Sequence, residues 1–384
     1  MTHRERVRLA LKHKEPDFLP IDLGGTEQTS ICRRSYMELM DYLGFKLDTG
    51  VQIQNIVQQL PVLDRRLLEW VGACARPLLP NVPSCWKLEV KEEGDYWTFV
   101  DEWGAKLFGP KDGYYFDYRE FQMKDSTWEA FRAMKWPDPT DEGRVKGLKD
   151  KAREMYKNTE YALVGTSLFG GGIFEHPARY HGMEDFLMLC ACDTGLADAM
   201  MEKVLELYLE ATSRYLKEVG EYIQVFAYWD DITTQSGSMI SPEFYRKYVK
   251  PKQRRLIDLI KSRTDAKVYL HCCGACRDYI GDFIEIGIDI LNPVQVSADG
   301  MDDTKMLKRE FGKDMVFWGG GINSQHTLPL GTPGQVREEV KRRIDDLAPG
   351  GGFIFNTSHN IQNFVPPQNI VAMYETVKEY GKYR

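Results

Sequence analysis

The residues best equipped for chemistry stand together in His271-Cys272-Cys273-Gly274, at the end of the apolar run Val268-Tyr269-Leu270. Side chains alternate faces along a β-strand, so His271 and Cys273 project together while Cys272 points away. An imidazole and a thiolate side by side are two of the four tetrahedral ligands that zinc prefers. Cys276, three residues past Cys273, makes a C-x-x-C, a spacing found in metal sites and redox pairs, and is one option for a further ligand. The same tetrad also describes a buried strand end with a His and a free Cys. Geometry alone does not separate the two.

Something must hold such a pair in place. Short apolar runs begin at Tyr161, Ile223, Lys267, Ile288, Met315 and Gly352. Segments of helical periodicity follow them at 196–219, 242–262, 278–286, 304–311, 333–347 and 367–380, several opened by Pro: Ser241-Pro242, Thr332-Pro333 and Pro366-Pro367. Strand–helix alternation predicts a parallel sheet with helical crossovers. With a further strand at 18–23, the count approaches the eight of a TIM (β/α)8 barrel. The aromatic alternation over 94–110 predicts an inserted β-hairpin, and the acidic, aromatic segment 111–141 a cap. The chain is therefore expected to form one domain over 1–384, with 94–141 inserted.

In such a barrel the chemistry gathers at the C-terminal strand ends. Here those ends read Gly165-Thr166-Ser167, Trp229-Asp230-Asp231, His271-Cys272-Cys273, Asn292-Pro293-Val294-Gln295, Gly319-Gly320-Gly321 and Asn356-Thr357-Ser358-His359-Asn360. All are polar or glycine-rich. Strand alternation sends one of Asp230 and Asp231 away from the barrel axis, so at most one of them is expected at the site, to orient a metal ligand, accept a proton or contact substrate, the alternative being a helix-cap or loop carboxylate. Asn292 and Gln295 suit substrate or corrinoid hydrogen bonding, or a structural turn. Glu175-His176 could line the mouth or start a helix. Trp103, Tyr114, Tyr115 and Phe116 suit an aromatic pocket wall or cap packing.

Composition narrows the function classes. Lys and Arg total 50 against 57 Asp and Glu, for a net charge of -7, which tells against a nucleic-acid surface. No apolar stretch approaches the roughly 20 residues of a membrane span, and the charged start Met1-Thr2-His3-Arg4-Glu5-Arg6 does not resemble a signal peptide. Eight cysteines, three of them within 272–276, fit metal or thiol chemistry in a reducing compartment better than a disulfide framework. The cytoplasm is the expected location.

With these motifs in order, the chain resembles the uroporphyrinogen decarboxylase family, and within it the corrinoid-dependent methyltransferase branch. The resemblance is carried by Thr2-His3-Arg4-Glu5-Arg6-Val7 with Glu15-Pro16-Asp17; Asp230-Asp231 with Ile240-Ser241-Pro242-Glu243-Phe244-Tyr245 and Pro251; His271-x-Cys273-Gly274; Leu291-Asn292-Pro293-Val294-Gln295; Gly319-Gly320-Gly321-Ile322; and His359-Asn360-Ile361 with Pro366-Pro367-x-Asn369-Ile370. It spans residues 1 to 370 and implies a TIM barrel. Decarboxylases of the family bind their tetrapyrrole's carboxylates through an Arg-rich N-terminal segment. The corresponding Leu23-Gly24-Gly25-Thr26-Glu27-Gln28-Thr29 has no Arg, and a multiply anionic substrate needs cations.

Methyltransferases of the family bind zinc through His-x-Cys and a distant Cys. His271 and Cys273 match the first two, and His359 falls where the distant Cys would be. The resemblance thus implies a Cys-His-His zinc site, harder than a Cys-Cys-His one and suited to an oxygen substrate. Asp231 and His359 are the expected catalytic groups, and the residue types and positions of Trp103, Asp230, Asn292 and Gln295 make them the expected substrate contacts. No cobalamin-binding Asp-x-His-x-x-Gly is present, so the corrinoid is expected on a partner protein. A small methyl donor or acceptor, such as a methyl ether or methylamine, is the expected substrate, and a homodimer is a candidate assembly. The alternatives are a decarboxylase of a smaller carboxylated substrate, with Asp231 and His359 as acid and base, a metal-free methyltransferase and a non-catalytic barrel that delivers a corrinoid.

Overall fold

The computed structural model describes residues 1–47 and 50–383. Among these, seven parallel strands form one sheet. In spatial order they are Ala75–Leu78, Ala162–Thr166, Val225–Trp229, Lys267–His271, Ile290–Asn292, Val316–Trp318 and Phe353–Ile354, which is also chain order. Ile21 joins the two edges through parallel bridges to Ala73 and Phe355. The Cys74 N–H donates to the Ile21 carbonyl at 2.8 Å, and the Phe355 N–H donates to the Pro20 carbonyl at 2.8 Å. The predicted segment 18–23 therefore acts as the eighth stave, and the sheet closes as a TIM-type barrel.

Strand alternation sorts the side chains. Val225, Ala227, Tyr269, Ile290, Val316, Trp318 and Ile354 fill the interior, and Val7 and Ala10 of the helix His3–Ala10 close its N-terminal end. Phe226, Tyr228, Val268 and Leu270 face outward into the core shared with the surrounding helices. With the interior filled below, the open end is the C-terminal one.

Helices expected at 304–311, 333–347 and 367–380 are observed as Thr304–Phe311, Pro333–Leu347 and Pro367–Tyr380. The second shows why its start was legible: the Thr332 hydroxyl accepts from the Gln335 N–H in a capping box, with Pro at the first position. The segment 242–262 is not one continuous helix. Pro242–Phe244 leads into a π turn, Tyr245–Val249, before Lys250–Arg263. Pro251 has no N–H for a carbonyl one turn back, and the wider turn accommodates its ring.

The insertion is larger than one hairpin. Lys91–Glu93, Tyr96–Val100, Lys106–Pro110 and Asp117–Glu120 form a four-stranded antiparallel meander, with a small core of Phe99, Leu107 and Phe116. Two anchors tie it to the barrel: the Glu102–Arg144 ion pair, and Trp103, buried in the main core. No helix among the described residues is long and apolar enough to cross a membrane.

Candidate metal centre and its cavity

Tyr269 faces the barrel interior, so His271 and Cys273, two and four residues on, emerge on that face at the open end. His271 Nε2 lies 3.0 Å from Cys273 Sγ. His359, in the loop after the last strand, sets its ring 5.4 Å from the His271 ring, centroid to centroid. One ligand atom from each of His271, Cys273 and His359 lies within 4.8 Å of the other two. A tetrahedron with bonds of 2.0–2.3 Å has edges of about 3.3–3.8 Å, so the three are within about an ångström of ligation spacing. Gly274 (φ +94°) then turns the chain sharply; a Cβ there would lie 2.3 Å from the Thr234 carbonyl oxygen.

Each imidazole is held by an asparagine. His271 Nδ1 lies 2.5 Å from Asn292 Oδ1, and Asn292 Nδ2 donates to the Trp318 carbonyl at 2.6 Å. That second bond commits the Asn292 amide nitrogen, so its oxygen faces His271 and accepts the Nδ1 proton. His359 Nδ1 lies 2.7 Å from Asn360 Oδ1, and Asn360 Nδ2 donates to Gln58 Oε1 at 2.7 Å. In both rings the proton sits on Nδ1 and the lone pair on Nε2. This is how an outer partner sets the tautomer of a metal-binding histidine.

Electrostatics keep both rings neutral. Burial pushes His271 down to about 4 against the opposing pull of Asn292. Burial and then the neighbouring His271 push His359 down to about 4. Burial, followed by the Asp231 carboxylate, raises the Cys273 thiol well above its ordinary value. A thiol in that setting ionises when a cation sits beside it. Two neutral imidazoles and one such thiol are a donor set that fits zinc.

The aspartates divide as alternation requires. Asp231 lines the cavity, and its Oδ1 accepts the Cys273 N–H at 2.6 Å. Asp230 points the other way, into the protein. Its Oδ1 accepts the N–H groups of Phe174 and Glu175, both at 3.0 Å, and its Oδ2 accepts from the Tyr228 hydroxyl at 2.6 Å and Gln253 Nε2 at 2.9 Å. Asp230 thereby pins the start of the helix Glu175–His181. Gln295 Oε1 accepts the Gly274 N–H at 2.8 Å and so braces the turn after Cys273. Asp230, Asn292 and Gln295 thus give their polar atoms to the protein itself and do not line the cavity among the described residues. Cys276 is fully buried in the outer core with Cys272.

Above the three ligand candidates is a cavity of about 420 Å³. Trp103 lines it, with its ring stacked on His176 at 4.2 Å. Tyr114, Tyr115 and Phe116 do not line it; Tyr115 instead hydrogen-bonds Gln362, and Phe116 packs in the meander core. Glu175 and His176 both line the cavity and open a helix. Reasoning from the sequence missed Glu27, Gln28, Asp101, Tyr118 and Arg179, which also line the cavity. One signal could have found two of them: Glu27 and Gln28 lie in the short turn Glu27–Thr29 after the first stave, at the end where barrel sites form.

The uroporphyrinogen decarboxylase (URO-D) family model matches residues 120–380, well over half of the chain. This chain belongs to the uroporphyrinogen decarboxylase family. A "Uroporphyrinogen decarboxylase" of Citrifermentans bemidjiense is 29% identical over 236 residues, covering 58% of this URO-D family chain and 62% of the relative. One from Shewanella amazonensis is 26% identical over 293 residues, covering 70% of this chain and 75% of that one. The chain spans about three-fifths of the first of these relatives. Among solved structures, a "methyltransferase from Methanosarcina mazei" superposes over 99% of both chains with a TM-score of 0.64 at 19% identity. That likeness establishes the TIM-barrel fold of this family member.

Proposed function

We propose that this URO-D family protein transfers a methyl group between a small substrate and the cobalt of a separate corrinoid protein, with zinc held by His271, Cys273 and His359. The observation that carries this is the pair of imidazoles, each fixed by an asparagine so that Nε2 is free beside the same thiol. A zinc ion there supplies Lewis acidity toward the substrate heteroatom. With one thiolate and two neutral rings the site is harder than a two-thiolate site and favours oxygen or nitrogen over sulfur. Asn292 and Asn360 maintain the tautomers, and Asp231 braces Cys273 while offering a carboxylate to take up or return a proton. Trp103 and the meander residues Phe99, Asp101 and Tyr118 wall the cavity in which the substrate would sit.

Decarboxylation is the competing function, and the names of the sequence relatives favour it. It would use Asp231 and His359 as acid and base. Against it stands the charge of the wall: with Glu102 held by Arg144, Glu27, Asp101, Glu175 and Asp231 share the cavity with one guanidinium among the described residues, Arg179. Arg179 is already paired with Glu175 at 2.5 Å. A polycarboxylate would meet repulsion there.

The test is a methyl-transfer assay with a cob(I)alamin-loaded corrinoid protein, followed by the absorbance change on methyl–cobalt formation. Turnover should be lost on chelation and restored by zinc. Carbon dioxide release from small carboxylic acids by metal-depleted protein, without methyl transfer, would overturn the proposal.

A further inference from the structure

The charges of the cavity wall do not balance. Glu102 pairs with Arg144 and Glu175 with Arg179. Glu27, Asp101 and Asp231 have no ion-pair partner among the described residues, and all three line the cavity. Asp231 belongs with the metal candidates, because it receives the Cys273 N–H. That leaves Glu27, on the turn after the first stave, and Asp101, on the inserted meander.

The scaffold itself holds Asp101 through one oxygen. Its Oδ1 accepts from the Trp103 and Ala105 N–H groups, each at 2.9 Å, and its Oδ2 meets no donor among the described residues. Burial raises Asp101 to about 7 and also pushes Glu27 upward. Buried carboxyls without a counter-ion resist ionisation, and an entering cation removes that penalty.

A second, independent observation points to a ligand. Gln28 and Trp103 are only 4% and 3% exposed, yet Gln28 Oε1 and Trp103 Nε1 have no hydrogen-bond partner among the described residues. Both residues line this cavity. Orphaned buried polar atoms are costly unless something satisfies them. An acceptor on a wall that also carries two carboxyls without an ion-pair partner among the described residues matches an N–H-bearing cation. Phe99, Tyr118 and Trp229 add aromatic surface, which favours methylated cations.

We propose that the substrate is a secondary or tertiary N-methylated ammonium, its charged nitrogen held by Glu27 and Asp101 and its N–H accepted by Gln28. This rests on the methyl-transfer function above and selects an amine over an ether as substrate. The nitrogen carries at least one hydrogen, since a quaternary ammonium would leave Gln28 Oε1 unsatisfied.

The test is a charge series of near-isosteres binding to metal-depleted protein, read by calorimetry at pH 7: N-methylbenzylammonium, benzyl methyl ether and phenylacetate. The cation should bind about tenfold tighter than the ether, and the anion weakest. Glu27→Gln and Asp101→Asn, which keep shape, should each cut the cation-over-ether ratio by at least about threefold, with melting behaviour confirming the fold. Equal or tighter ether binding, or a cation preference that survives the double substitution, would overturn the proposal. Zinc content is measured separately on the same preparation. A protein that takes no zinc sinks the zinc-dependent methyl-transfer function, whereas a failed charge series sinks only the amine assignment.

Discussion

Replacing Asn292 with Ala isolates the part of the metal centre that is not itself a ligand. Asn292 is fully buried, takes the His271 Nδ1 proton at 2.5 Å and is locked by the Trp318 carbonyl at 2.6 Å. Without it, the Nδ1–H of a buried ring has no acceptor, a loss of about 1–3 kcal/mol. Part of that cost is avoided if the proton moves to Nε2, but that tautomer cannot ligate. Loss of such an outer partner typically weakens metal binding about 10–100-fold, or roughly 1.4–2.7 kcal/mol. Competition against a chromophoric chelator should show a rise in zinc Kd of that size, with one zinc still bound at saturation. Asn292→Asp should bind zinc at least as tightly as the parent, because a carboxylate makes the ring more basic. If Asn292→Ala binds zinc with unchanged affinity while His271→Ala loses it, the orienting role assigned to Asn292 is wrong.

Other outcomes follow from the same geometry. Cys273→Ala should abolish zinc binding with little loss of fold, whereas Cys272→Ala should keep the metal, because Cys272 lies in the outer core; zinc analysis of both variants checks this. Asp230→Ala should destabilise the protein by more than about 3 kcal/mol in urea unfolding, since it strands several buried donors, while each folded chain still binds one zinc. For Asp101 the folded value of about 7 lies above the unfolded carboxylate range, so the folded state holds the proton more tightly. The native protein should therefore lose stability relative to Asp101→Asn as pH rises from about 4 to about 7 and stay level above that. Paired denaturant curves across this range would expose an opposite or absent trend.

Several features were legible in the sequence because they follow from local rules. Period-two alternation placed His271 with Cys273 and separated Asp230 from Asp231, and the interior position of Tyr269 and Ala227 explains both. Capping residues located Pro333–Leu347. The strand Ala75–Leu78 escaped because Arg76 and Pro77 break the apolar run; the strand pairs along one edge with Ala162–Thr166, whereas on its other side contact with the first stave is limited to the Ile21–Ala73 bridge. The orienting roles of Asn292 and Asn360, and the turn brace from Gln295, are tertiary hydrogen bonds that no spacing announces. Glu27 and Asp101 share a cavity only because the inserted meander folds over the first stave's end, a long-range arrangement that local pattern does not carry.

Zinc K-edge absorption of the zinc-loaded protein, run beside the His359→Ala variant, tests the central claim most directly. A site built from His271, Cys273 and His359 should show one sulfur near about 2.3 Å and two imidazole nitrogens near about 2.0–2.1 Å. The variant should lose one imidazole from that shell. A shell without sulfur, a second sulfur in place of an imidazole, or a spectrum unchanged in His359→Ala would contradict the account.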